Sequence, residues 1–242
     1  LNKEQNMSRL VLISNKQCDS KDLACAMQAL SSVDASDDEQ GLWLGWNGDV
    51  QNFGAAPLRP VNLQQRSGYQ QVTFPLSTEE FHFHYQGYYH DGLWPVFHNH
   101  PEKAHFTPEN YRAYRQLNQQ FADIACEYVC PNDLICIDDY QLLPCGQALK
   151  EQGLLNPCAF FFHLPFPSAA LLRQIPEHQG LIESLFFYDL IGFQSLDDRN
   201  NFLNYLANEY PVEILPDDQL QVNGHIFATG IFPAGINARN IY

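Results

Sequence analysis

The chain alternates short apolar runs with longer stretches in which apolar residues recur every three or four positions. Arg9 to Ser14 (RLVLIS), Gly41 to Trp46, Val72 to Leu76, Leu134 to Ile137, Ala159 to His163 and Leu190 to Phe193 read as buried strands. Gly224 to Phe232 supplies a last strand or two. Helices are expected at Leu23–Leu30, at Ser77–Tyr89 behind a capping box of Ser77 and Glu80, and at Leu142–Lys150. Further helices are expected at Leu171–Ile175, Leu181–Phe186 and Leu196–Asn208. The clearest helix begins at Thr107-Pro108-Glu109, with Tyr111, Tyr114, Leu117, Phe121, Ile124 and Tyr128 along one stripe.

Strands that alternate with helices predict an α/β fold, a single Rossmann-like domain with a doubly wound, mostly parallel sheet. Such sheets bind ligands beyond the carboxyl ends of their strands. Four of these ends are polar or glycine-containing: Ser14-Asn15-Lys16, Asp138-Asp139-Tyr140, His163-Leu164-Pro165 and Gly192-Phe193-Gln194. At Asp138-Asp139, strand alternation lets one carboxylate enter the cleft. It would bind a sugar hydroxyl or act in catalysis, or else cap the following helix. His163 reads either as a donor to a ligand hydroxyl or as a strand-end histidine satisfied by backbone.

Composition narrows the partners. The 242 residues are 45% hydrophobic, enough for a sizeable core, and carry a net charge of −15. That charge excludes the dense basic footprint needed for nucleic acid or an anionic membrane surface. A small phosphorylated ligand needs only one or two cations and stays open. Seven cysteines without a signal peptide fit reduced thiols in a cytoplasmic protein, and no apolar stretch reaches membrane-spanning length.

Several chemistries lack their signature. No GxGxxG follows the first strand, and neither GxxxxGK[ST] nor GxSxG occurs. Histidines gather at 82, 84, 90, 98 and 100 without a tight ligand pattern, so no metal and no cofactor is expected. Cys126 and Cys130, spaced four apart, read as buried core thiols on the long helix.

The segments RLVLISNK, GLWLGWNG, GLWPVFH, DDYQLLP, FFFHLPFP, YDLIGFQSLDDRNNFL and IFPAGINA stand in an order and spacing that resemble the trehalose-6-phosphate synthases. These are retaining glycosyltransferases of family 20 with the GT-B fold. The resemblance runs from about Arg9 to Ala238 and covers the N-terminal, acceptor-binding half. It implies glucose transfer from a nucleotide sugar, usually UDP-glucose, to glucose-6-phosphate. By the same resemblance Tyr85 and Trp94 belong to the acceptor pocket, Asp139 contacts the acceptor sugar, and His163 contacts the reacting glucose.

The departures from the family pattern carry expectations too. Lys16 stands where the family has a phosphate-binding arginine, keeping the charge without the bidentate fork. Lys21-Asp22 replaces a Gly-Gly that lets the backbone approach the donor diphosphate, so this donor loop reads as degenerate. Asp138 and Gln141 replace two histidines. Residues 1–8 are expected to be tag or upstream sequence, 9–238 the acceptor-binding domain, and 239–242 the start of a crossover to a donor domain or partner subunit. The chain alone is therefore expected to bind a sugar phosphate without transferring glucose. The alternative is a natural single-domain relative that regulates by binding a sugar phosphate or a protein.

Overall fold

The computed structural model describes residues 9–15, 41–53, 59–66 and 69–233. Among these residues the sheet has ten strands in the order β3-β4-β2-β1-β5-β6-β7-β10-β9-β8. The strands are β1 (Leu10–Ser14), β2 (Gly41–Gln51), β3 (Asn62–Arg66), β4 (Tyr69–Ser77), β5 (Leu134–Asp138), β6 (Cys158–Phe161), β7 (Leu190–Phe193), β8 (Val212–Ile214), β9 (Leu220–Val222) and β10 (His225–Ile231). From β4 through β10 every neighbouring pair is parallel. β3 closes one edge antiparallel to β4, and β9 and β8 close the other as antiparallel strands.

Central strands bury both faces, which is why they read as unbroken apolar runs. Val11 and Ile13 join the large core together with Leu42 and Leu44. Leu12 and its register partner Trp43 face the other way, into a second small cluster. Ser14 pairs in register with both Gly45 and Asp138, so β1 lies at the middle of the sheet. The chain leaves β1 toward β2 on one side and returns as β5 on the other. The strand order therefore reverses between the ends of β1 and β5, where an open α/β sheet leaves a crevice.

Among the described residues the helices are α1 (Thr78–Glu80), α2 (Trp94–Phe97), α3 (Pro108–Tyr128), α4 (Cys145–Glu151), α5 (Ala169–Leu172), α6 (His178–Ser184) and α7 (Leu196–Glu209). The capping box expected at Ser77 is present: Ser77 Oγ accepts the Glu80 amide at 3.1 Å, and Glu80 Oε2 accepts the Ser77 amide at 2.7 Å. The helix it starts departs from expectation. After α1 it widens to a π-helix over Phe81–Leu93 and then runs into α2. π-Helical segments are rare and concentrate at functional sites. Gly87 lets this segment pack closely on α3, because a Cβ there would lie 2.6 Å from the Asn110 side chain.

Other expectations shift in detail. The Leu142–Lys150 helix splits into a 3₁₀ turn, Tyr140–Leu142, and α4, with Pro144 at the α4 N-cap. β6 ends at Phe161, so His163 lies two residues past the strand. β3, β8 and β9 were not legible as strands. α3 ends at Tyr128, leaving Cys130 exposed beyond it, with the Arg9 guanidinium 3.7 Å from its sulfur. Cys130 is thus not a core helix thiol. The expected Leu23–Leu30 helix lies outside the described residues, as do 1–8 and 239–242. No described helix is long and apolar enough to cross a membrane.

Candidate functional site

A cleft of about 720 Å³ opens at the point where the strand order reverses. The end of β1 contributes Asn15, and the outer half of β2 contributes Trp46, Gly48 and Val50. The π-helix brings Phe81, Tyr85 and Tyr89, and α2 begins with Trp94. The turns after β5 and β6 add Asp139, Tyr140, Gln141, His163 and Leu164. Five aromatic side chains on one wall thus face a polar set made of a carboxylate, two amides and an imidazole. This combination suits a ligand with apolar ring faces and hydroxyl edges.

The aromatic wall is preassembled. Phe81 and Tyr85, four residues apart, stack at 5.3 Å and 15°. Trp46 packs on Tyr85 at 5.2 Å, and Tyr89 lies 5.3 Å from Tyr85. Trp94 stacks on His98 at 3.8 Å and remains 38% exposed. Burial raises the pKa of the Tyr85 phenol, and the negative charge of Asp139 raises it further. Burial likewise raises the pKa of Tyr89. Both hydroxyls therefore stay protonated donors at neutral pH.

The turn after β5 is held in a costly shape. Asp139 has φ 81° and ψ 140°, close to a region that is nearly glycine's alone. Its carboxylate accepts the Tyr140 amide at 2.9 Å. α3 supports the same turn, as Tyr114 Oη donates to the Tyr140 carbonyl at 2.7 Å and Asn118 Nδ2 to the Gln141 carbonyl at 3.1 Å. Asn15 Nδ2 donates to Gln141 Oε1, which links the ends of β1 and β5 across the cleft floor. The two readings of Asp139 therefore coexist, since one carboxylate caps the turn and lines the cleft.

His163 is fixed from behind. Its Nε2 meets Asp138 Oδ1, and its backbone carbonyl accepts from Gln194 Nε2. Further along the turn, the Phe166 amide donates to Asp198 Oδ1 at 2.8 Å, and Asn201 Nδ2 donates to the Phe166 carbonyl at 3.0 Å. Gln194, at one of the four polar strand ends, does not line the cleft but clamps the neighbouring turn.

Tyr85, Trp94, Asp139 and His163 thus converge on one cleft, although 78 positions separate the first from the last in sequence. Lys16, Lys21 and Asp22 lie outside the described residues. Trp46, Tyr89 and Gln141 were not singled out as ligand contacts. Trp46 was legible as the residue ending the GLWLGW run, and Tyr89 as the residue four beyond Tyr85. The clustered histidines take separate partners: His82 faces Gln86, His90 faces Asp91, His100 faces Glu102, and buried His84 stacks on Tyr114. Among the described residues no three His, Cys, Asp or Glu side chains gather as a metal site would require.

Comparison with known proteins places this cleft in context. The family model for glycosyltransferase family 20 matches residues 4–242. Trehalose-6-phosphate synthase of Sodalis glossinidius is 31% identical over 97% of this chain and 50% of its own length. That of Klebsiella pneumoniae is 33% identical over 97% and 49%. Among solved structures, the UDP-forming α,α-trehalose-phosphate synthase of Burkholderia xenovorans in complex with glucose-6-phosphate superposes with a TM-score of 0.83 at 29% identity, covering 95% of this chain and 50% of that one. A trehalose-6-phosphate synthase structure from Burkholderia multivorans gives 0.86 at 31% identity, covering 97% and 51%. The chain spans about half the length of the relatives it matches. Its sheet order, its cleft and this match over nearly the whole sequence make the chain a member of glycosyltransferase family 20.

Proposed function

We propose that this chain is the acceptor half of a trehalose-6-phosphate-synthase-type glucosyltransferase and that its cleft receives glucose-6-phosphate. The carrying observation is the convergence of Tyr85, Trp94, Asp139 and His163 at the reversal of strand order. A relative of the same fold is known in complex with glucose-6-phosphate, which supports the ligand class.

In this reading the aromatic wall covers the apolar face of the pyranose. Asp139, as a carboxylate, accepts from the ring hydroxyls, and charge-assisted bonds of this type are the stronger ones. Tyr85 donates a hydrogen bond, because its phenol keeps its proton. His163, on the turn after β6, meets the glucose being transferred. Lys16 is proposed to meet the phosphate as a point charge. With Lys21 and Asp22 in place of two glycines, close backbone approach to a donor diphosphate is hindered.

Retaining transfer also requires stabilisation of the departing nucleotide phosphate. We assign that task to a donor domain or partner subunit corresponding to the length of the relatives that this chain does not span. The 242-residue chain alone is then a binding unit: it takes glucose-6-phosphate and transfers no glucose from UDP-glucose. Calorimetry with glucose-6-phosphate, alongside a turnover assay for trehalose-6-phosphate, tests both parts. Absence of heat at millimolar ligand would refute the acceptor assignment, and product formation by the chain alone would refute the division of labour.

A further inference from the structure

Asp138 has no role in the reading above, yet it is nearly buried and directly precedes the cleft-lining Asp139. It ends β5, in register with Ser14 of β1 and Phe161 of β6, and its side chain is 6% exposed. A carboxylate in such a place needs a compensating partner. One such partner is His163, whose side chain is 36% exposed and lines the cleft. The pair therefore joins a group behind the sheet edge to one that a ligand can touch.

From this geometry we infer that Asp138 is a positioning residue: it holds the proton of His163 on Nε2 and sets the ring so that Nδ1 serves the ligand. An ionised carboxylate can only accept, so the imidazole nitrogen facing it must carry the hydrogen. In the neutral ring Nδ1 then has the lone pair and can accept a sugar hydroxyl proton. The tautomer of a histidine is set in this way by the bond its other nitrogen makes. Two further contacts restrict the ring. Phe161 packs against it edge-on at 4.7 Å and 79°, and Gln194 holds the His163 carbonyl. With ring plane, backbone and tautomer all fixed, the orientation of Nδ1 is set before a ligand arrives, which lowers the ordering cost of binding.

This inference rests on the acceptor reading for its ligand, but its first test does not. Imidazole ¹⁵N–¹H correlation spectra of the ¹⁵N-labelled chain at pH 8 report which nitrogen of His163 is protonated. Nε2 protonated in the wild type is expected, with a mixture of tautomers in Asp138→Ala. Asp138→Asn, which keeps an acceptor oxygen and nearly the same shape, is expected to retain Nε2–H. Glucose-6-phosphate affinity should fall about tenfold in Asp138→Ala and less than threefold in Asp138→Asn. A wild-type ring protonated on Nδ1 and bare on Nε2 would overturn the inference without any variant. So would an unchanged tautomer and unchanged affinity in Asp138→Ala. Failure of glucose-6-phosphate to bind the wild type would instead count against the acceptor reading, and the tautomer result would still decide the role of Asp138.

Discussion

The hydroxyl of Tyr114 donates to the carbonyl of Tyr140 at 2.7 Å, tying the long helix α3 to the turn that carries Asp139. Tyr114 is fully buried. Tyr114→Phe keeps the ring and removes this donor from the buried turn. The expected cost is about 1–3 kcal/mol of stability. Urea unfolding measures it; a loss within the noise would show that the turn does not depend on this bond.

Asp139 presents a conflict between stability and site chemistry. Its φ of 81° costs on the order of 1–3 kcal/mol for a residue with a Cβ. Asp139→Ala keeps that strain and loses the bond to the Tyr140 amide, whereas Asp139→Gly loses the bond but relieves the strain. The glycine variant is therefore expected to be the more stable of the two by about 1–3 kcal/mol, with sugar-phosphate binding lost in both. Thermal unfolding with parallel calorimetry checks the order, and an alanine variant as stable as the glycine variant would contradict it.

Buried His84 predicts an acid limb. Burial lowers its pKa from 6.5 to about 4 in the folded protein. The unfolded chain therefore takes up a proton below about 6.5 that the folded chain refuses until about 4. The stability associated with neutral His84 is complete above about 6.5 and is lost progressively as pH falls toward 4, at up to about 1.4 kcal/mol per pH unit. In His84→Phe this part of the pH dependence should vanish. Urea midpoints between pH 7 and 4.5 read it directly, and parallel curves for wild type and variant would refute the assignment.

The aromatic wall should contribute to binding more than to folding at its exposed end. Trp94→Ala is expected to weaken glucose-6-phosphate about tenfold, roughly 1.4 kcal/mol, with little change in melting temperature because Trp94 is 38% exposed. Tyr85→Phe should weaken binding by a few-fold through loss of one donor. Equal affinity of both variants and wild type would place the ligand elsewhere.

The central sheet was legible because its strands bury both faces over apolar runs, as in Val11–Ile13 and Leu42–Leu44. The edge strands were not legible for the same reason in reverse. β3, with the sequence NLQQR, is exposed along its whole length and carries no alternation to read. The π-helical widening over Phe81–Leu93 was not legible either, since a capping box and apolar spacing announce a helix without fixing its hydrogen-bond register. At the site, Asp139 and His163 were visible as polar residues following apolar runs. The link from Asp138 to His163 was not, because it joins the end of β5 to the turn after β6 across 25 positions of sequence.

The most direct test of the acceptor assignment is titration of the ¹⁵N-labelled chain with glucose-6-phosphate, followed by amide and indole chemical shifts. The account predicts saturable shifts at millimolar ligand or below, concentrated at Tyr85, Trp94, Asp139 and His163, with the indole of Trp94 among the largest. Unchanged spectra at millimolar glucose-6-phosphate, or shifts confined to surfaces away from this cleft, would contradict it.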